Sequence, residues 1–97
     1  MIRTEMLRYR CEDGMTISVN SLNCGERRSR LEITSDERNG YRGSISFTSI
    51  SLPVDTEEVD RLQEFLREDE NVESFRRELY FFCRGLTYPR RILHPFF

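Results

Sequence analysis

The sequence predicts an α+β fold: a four-stranded antiparallel meander whose apolar face is covered by two C-terminal helices, with an extended tail behind them. Three observations predict it. Over the first half, apolar residues alternate with polar ones in short runs separated by turn residues, the period of a half-buried strand. After Pro53 the apolar spacing changes twice to the helical period. The two halves also have matching needs, because a sheet with one apolar face and helices with one apolar stripe are stable only when packed on each other. With 97 residues the chain buries roughly 60–70% of its unfolded surface, enough for one domain with one core.

The first strand is expected over residues 3–11, with Leu7, Tyr9 and Cys11 on one face and Arg8 and Arg10 on the other. Glu12-Asp13-Gly14 follows, and Asp-Gly between alternating runs is a strong hairpin signal. Residues 15–22 alternate again, Met15, Ile17 and Val19 opposing Thr16, Ser18 and Asn20. Asn23-Cys24-Gly25-Glu26 has the composition of a turn. A third strand over 28–35 points Leu31 and Ile33 inward and Arg30, Glu32 and Thr34 outward. Asn39-Gly40 signals the next turn, and a fourth strand spans 41–52. In that strand Ile45 and Phe47 have one parity and Ile50 and Leu52 the other, which predicts a bulge near Ser49. Pro53 is expected to end it.

The first helix is predicted over 55–68, opened by an Asp55–Glu58 capping box and carrying Val59, Leu62, Phe65 and Leu66 as its buried stripe. Glu68–Asn71 breaks it. The second helix, 71–84, holds the most apolar run in the chain. Val72, Phe75, Leu79 and Phe82 share a face there, Cys83 closes the stripe, and Glu73 precedes Arg77 in the favourable order for an ion pair. Gly85 is the expected left-handed stop. The tail, 86–97, contains two prolines and is expected to be extended.

Composition excludes several functions. All fifteen basic residues are Arg; Lys, Ala and Trp are absent. Missing Lys removes Schiff-base chemistry and the phosphate-loop lysine. Arg brings a planar fork that grips carboxylates and phosphates in paired hydrogen bonds. Net charge is −2, made of +1 over residues 1–54, −6 over 55–70 and +3 over 71–97. The three cysteines are widely spaced, and neither a signal peptide nor a membrane-spanning run is evident, which points to a reducing cytoplasmic compartment. No Cys or His pair has metal-ligand spacing, and no cofactor is expected. The single histidine, His94, lies in the tail without an orienting partner, so no catalytic residue is assigned.

Four binding candidates remain. The outer face of the sheet carries Arg8, Arg10 and Arg30 among Thr16, Ser18, Ser44, Ser46 and Thr48, with Arg27 and Arg28 at its edge. Arg with small hydroxyls is how proteins contact phosphate oxygens. An ordinary solvated sheet face looks the same, with Glu5 and Glu32 available to pair across strands. The first helix presents Glu57, Asp60, Glu64 and Glu68 within about 80° of one another on a helical wheel, an acidic stripe fit for a basic partner or for water. Phe81 lies opposite the buried stripe of the second helix, close to Arg77 and Arg84, as an interface anchor does or as a ring covered by the tail does. Tyr88-Pro89-Arg90-Arg91 is a basic segment that suits phosphate, an acidic partner, or the chain's own acidic helix.

In size, αβ plan, missing residue types and a charged surface without a catalytic constellation, the chain resembles small phage-encoded inhibitors, the anti-CRISPR proteins above all. The resemblance implies a stoichiometric inhibitor that docks on a host nuclease or RNA-guided surveillance complex. The expected function is therefore a non-catalytic binding protein whose partner is a host protein or ribonucleoprotein. Arg27, Arg28 and Arg30 would face phosphate or acidic groups, and Glu57, Asp60 and Glu64 basic ones. A nucleic-acid module using the sheet face, and a structural protein assembling through Phe81 and the tail, are the alternatives.

Overall fold

The computed structural model describes residues 2–39 and 44–85, apart from the side chains of 37–39 and 44–48. Four strands, β1 (Ile2–Arg10), β2 (Thr16–Gly25), β3 (Arg28–Asn39) and β4 (Ser44–Asp55), form one antiparallel sheet in the order β1-β2-β3-β4. Helices α1 (Thr56–Phe65) and α2 (Asp69–Cys83) follow. The expected tail, with Tyr88–Arg91 and His94, lies outside the described residues.

The inner face of the sheet is built as the alternation requires. Leu7 pairs with Val19 and Tyr9 with Ile17; Val19 pairs with Ile33, which pairs with Ile50, and Leu31 pairs with Leu52. Over this face α1 lays Val59 and Leu62, and α2 lays Phe75, Leu79 and Phe82, all buried in one cluster with Met15, Ile17, Val19, Leu31 and Ile33. Phe75 at 1% and Leu62 and Leu79 at 0% exposure mark its centre. Burying a side chain of this size contributes about 1.5–3 kcal/mol relative to leaving it in water.

Several boundaries differ from expectation, each for a physical reason. The register from Arg28–Asp55 to Asn39–Ser44 is unbroken, so the bulge expected near Ser49 is absent. A bulge there would leave a residue unpaired in a ladder that matches every β3 residue to one of β4. The bulge is instead at Met6 in β1, between the Glu5–Asn20 and Leu7–Val19 pairs. Met6 and Leu7 are consecutive apolar residues, and the extra residue lets both pack against the core. Pro53 does not end β4 but pairs with Arg30, as an edge strand permits where no partner needs the missing N–H.

The helix ends shift too. α1 stops at Phe65, whose carbonyl accepts a hydrogen bond from Asn71 Nδ2 at 2.9 Å. Asp69 and Glu70, read as a break, form the first turn of α2, where acidic side chains favour the positive end of the helix dipole. Arg76, not Arg77, pairs with Glu73, at 3.4 Å. Gly85 does take a left-handed φ of 75° and donates to the Phe82 carbonyl at 2.9 Å. At this same end of α2, the turn between β1 and β2 is clamped to the helix. Asp13 accepts hydrogen bonds from Arg84 and from Tyr80 Oη, and Tyr9 Oη donates to the Arg76 carbonyl at 2.9 Å.

Candidate interaction surface

The β2–β3 hairpin differs most from its expected form. β2 does not stop at Leu22 but runs to Gly25, which pairs with Arg28. Only Glu26 and Arg27 are left in the turn. Both have positive φ, 47° and 64°. Consecutive left-handed residues in a two-residue loop make a type I′ turn, whose twist suits a hairpin and which normally uses Asn-Gly or Asp-Gly. Glu26 and Arg27 carry a Cβ that crowds the backbone in this region, at about 1–2 kcal/mol per residue.

Neighbouring contacts hold the turn. Asn23 Oδ1 accepts from the Gly25 N–H at 2.9 Å, and Cys24 is the extra residue in the β2–β3 register. The Arg27 carbonyl accepts a hydrogen bond from the Thr56 N–H at 3.0 Å, which ties the tip to the first residue of α1. Asp55 and Glu58 form the expected capping box, with the Asp55 N–H donating to Glu58 Oε2 at 3.2 Å.

Beside the tip is an open groove of about 640 Å³, lined by Cys24, Arg28, Arg30, Pro53, Asp55 and Glu58 among others. Arg28 and Arg30 are two apart on β3, so both stand on one face, and the structure brings these expected residues together with Arg27. Arg30 Nε donates to Ser51 Oγ at 2.7 Å. Among the described residues, no carboxylate lies within ion-pairing distance of Arg27, Arg28 or Arg30.

The other expected residues lie elsewhere. Arg8 and Arg10 project from the outer face of the sheet, in register with Ser18 and Thr16. Arg8 is paired with Glu5, and Arg3, which the sequence reading passed over, with Glu32 at 3.3 Å. Glu5, Asn20, Glu32 and Ser51 form one cross-strand row, so an acidic line crosses the face between the Arg3–Arg30 row and Arg8. Ser18 is buried at 7% and shares a hydrogen bond with Thr34. Ser44, Ser46 and Thr48 have side chains outside the described residues. This face is a self-neutralising lattice rather than a basic platform.

Glu57, Asp60 and Glu64 are exposed on α1, the layer that covers the opposite side of the sheet. They do not share a surface with Arg8 and Arg10. Phe81 is exposed, at 41%, and its ring meets Tyr80 edge-on at 5.7 Å. Tyr80 in turn lies under Arg84 and bonds Asp13. The Asp13 turn and the Glu26–Arg27 tip are at opposite ends of β2, about 30 Å apart at ~3.4 Å per residue. Phe81 and the Arg27–Arg30 corner are therefore separate surfaces.

The titration shifts collect at the Asp13 end. Arg84, then the Met15 N–H, hold the Asp13 carboxyl below the usual range. Burial pushes the Tyr9 hydroxyl and the Cys11 and Cys83 thiols up; both cysteines add to the rise at Tyr9, Cys11 adds to that at Cys83, and Asp13 to that at Cys11. Reactive thiols need the opposite shift. The described residues contain no cluster of three or more His, Cys, Asp or Glu side chains able to share a metal ion. None of the described helices is long and apolar enough to cross a membrane. Searches against family models, curated proteins and solved structures find no match.

Proposed function

We propose that this chain is a non-catalytic cytoplasmic binding protein that inhibits a host nucleoprotein complex, such as an RNA-guided surveillance complex, by docking through the Arg27–Arg30 corner. One observation carries the reading. Two charged residues occupy left-handed positions at an exposed hairpin tip that is tied by a backbone hydrogen bond to α1. Backbone strain of this kind persists where the surrounding structure over-determines it, and it clusters at ligand clamps and switch regions. A preformed tip also spends less ordering entropy on binding. Three free thiols suit the reducing compartment this role requires.

The test is cleavage by purified RNA-guided nuclease complexes titrated with this protein. Cleavage should fall to background near a 1:1 ratio. The triple Arg27→Ala/Arg28→Ala/Arg30→Ala variant should fold normally and leave cleavage intact. Nucleases unaffected by an excess of the wild-type protein would overturn the proposal, and so would an alanine variant that inhibits equally well. Direct nucleic-acid binding by the sheet face is a weaker reading, because Glu5 and Glu32 cross that face between the arginines. Assembly through Phe81 is a third, favoured by that ring's exposure.

A further inference from the structure

We infer that the open edge of β4 pairs with the β4 of a second copy of this chain, antiparallel about a two-fold axis near Ser49, so that two sheets join into one. The inference goes beyond the docking role proposed above and does not depend on it. A strand at the edge of a sheet leaves a row of N–H and C=O groups unpaired, and proteins guard such rows with charged side chains, bulges, short strands or proline. The two edges of this sheet differ in that respect. β1 carries Arg3, Glu5, Arg8 and Arg10 and is interrupted by the bulge at Met6. β4 is twelve residues long, carries no charge before Asp55, and matches β3 without a shift. Its one guard is Pro53, close to its end. β2 is free of charge too, and it has a neighbour on both sides.

The direction of the free groups follows from the hydrogen bond of Thr56. Its N–H donates to the Arg27 carbonyl, and Arg27–Thr56 continues the register in which Arg28 faces Asp55. Bonded and non-bonded pairs alternate along an antiparallel ladder, so Val54, Leu52 and Ile50 turn their main-chain groups to β3. Those of Ser51 and Ser49, and of Phe47 and Ile45 further along, point away from the sheet. Pro53 has the outward phase as well, so the ladder with β3 does not need its missing N–H. Among the described residues no backbone hydrogen bond reaches the outward groups of Ser49 or Ser51. A second β4 centred on Ser49 sets Ser49 against itself and Phe47 against Ser51. It supplies about eight main-chain hydrogen bonds, within the range a specific interface carries. Self-pairing brings no like charges together, the penalty a charged strand would meet. A strand of another sequence would be selected by charge or by side-chain pockets, and this run has no charge to select with. The inner face agrees. Ile50 and Leu52 are only partly buried, whereas their β3 partners Ile33 and Leu31 are at 2% and 0% exposure. A second β4 alongside covers that open flank.

The test is sedimentation equilibrium of the full chain over a concentration series, with amide hydrogen exchange read at single residues. The wild type should pass from 11.7 kDa to twice that mass as concentration rises and stop there, because the bulge and charges of β1 keep the other edge from pairing. The Ser49 and Ser51 amides should gain protection in the dimer. Ser49→Pro removes an outward N–H that only the second copy uses. Ser49→Lys sets like charges against each other at the axis and keeps every main-chain bond within the chain. Both variants should stay monomeric where the wild type dimerises, and the Lys variant decides the matter if the Pro variant does not fold. Phe81→Ser, on α2, should dimerise as the wild type does. A monomer at every concentration overturns the inference. So does a dimer whose Ser49 and Ser51 amides exchange freely, one that persists in Ser49→Lys, or one lost in Phe81→Ser. Nuclease inhibition is a separate result: a dimer that inhibits nothing refutes the docking role alone, and a strict monomer that inhibits refutes this inference alone.

Discussion

Replacing Glu26-Arg27 by Asn-Gly should make the protein more stable, although it deletes two charged residues and adds no contact. Both positions have positive φ, 47° and 64°. Relieving left-handed strain is worth about 1–2 kcal/mol per residue. Gly removes the strain at position 27 fully; Asn, which tolerates this region, removes part of it at 26. Against this, Gly adds freedom to the unfolded chain, roughly 0.5–1 kcal/mol. The balance is a gain of about 1–1.5 kcal/mol, equivalent to roughly 4–12 °C in Tm for a domain of this size. The hydrogen bond from Thr56 reaches the Arg27 backbone carbonyl and survives both substitutions. Thermal unfolding followed by circular dichroism reads the gain. Glu26→Ala/Arg27→Ala is the control, because it removes the charges and keeps the strain, so its Tm should move by only a few degrees. An Asn-Gly variant with native ellipticity and an unchanged or lower Tm would refute the claim that this turn is strained. If the alanine control gained as much, the effect would belong to the charges.

Other predictions follow from the core, the clamp and the thiols. Phe75→Ala should lower the unfolding free energy by about 3–5 kcal/mol in urea titration, since Phe75 is 1% exposed at the centre of the cluster; a loss under 1 kcal/mol would mean α2 is not seated on the sheet. Asp13 has its carboxyl pKa lowered in the folded state, chiefly by Arg84. Its contribution is therefore present above the unfolded value of about 3.9 and is lost as pH falls through the lower folded value. Asp13→Asn should flatten that acid limb of the stability profile, and an unaltered limb would show that the clamp is not felt. Cys24 is exposed whereas Cys11 and Cys83 are half-buried with raised thiol pKa values. Iodoacetamide followed by peptide mass mapping should modify Cys24 first, and earlier labelling of Cys83 would contradict the packing of α2.

The periodic parts of this fold are legible in the sequence, and the exceptions share a cause. Alternation placed Ile17, Val19, Leu31 and Ile33 on one face, and helical spacing placed Val59, Leu62, Phe75, Leu79 and Phe82 over them, because burial repeats with the element's own geometry. Pro53 was misleading because proline stops a strand only where a partner needs its N–H, and whether β4 is an edge depends on the order of the whole sheet. Asn23–Glu26 was misleading because Gly25 looks like the centre of a turn, whereas it is the last residue of β2 and the turn is made by residues with no turn preference. Met6-Leu7 was a readable signal of a bulge, since two apolar neighbours cannot both face inward on a regular strand.

The candidate surface was harder to read, for a reason specific to charge. A chain whose basic residues are all Arg offers fifteen chances to grip an anion, and composition does not rank them. Ranking depends on which guanidinium groups are already satisfied inside the fold. That follows from the register. The Met6 bulge brings Arg3 opposite Leu22, one row from Glu32, and so consumes a carboxylate that would otherwise have been free for Arg30. At the other wall of the groove Asp55 and Glu58 serve the capping box of α1, and Asp55 stands opposite Arg28 in the β3–β4 ladder. Arg28 and Arg30 are thus left without ion partners among the described residues by choices made elsewhere in the chain. Shifting the β1 register should therefore alter the electrostatics of the hairpin corner without touching a residue in it. Deleting Met6 would not do this, because the Glu5–Asn20 and Leu7–Val19 pairs on either side of it already fix Arg3 opposite Leu22.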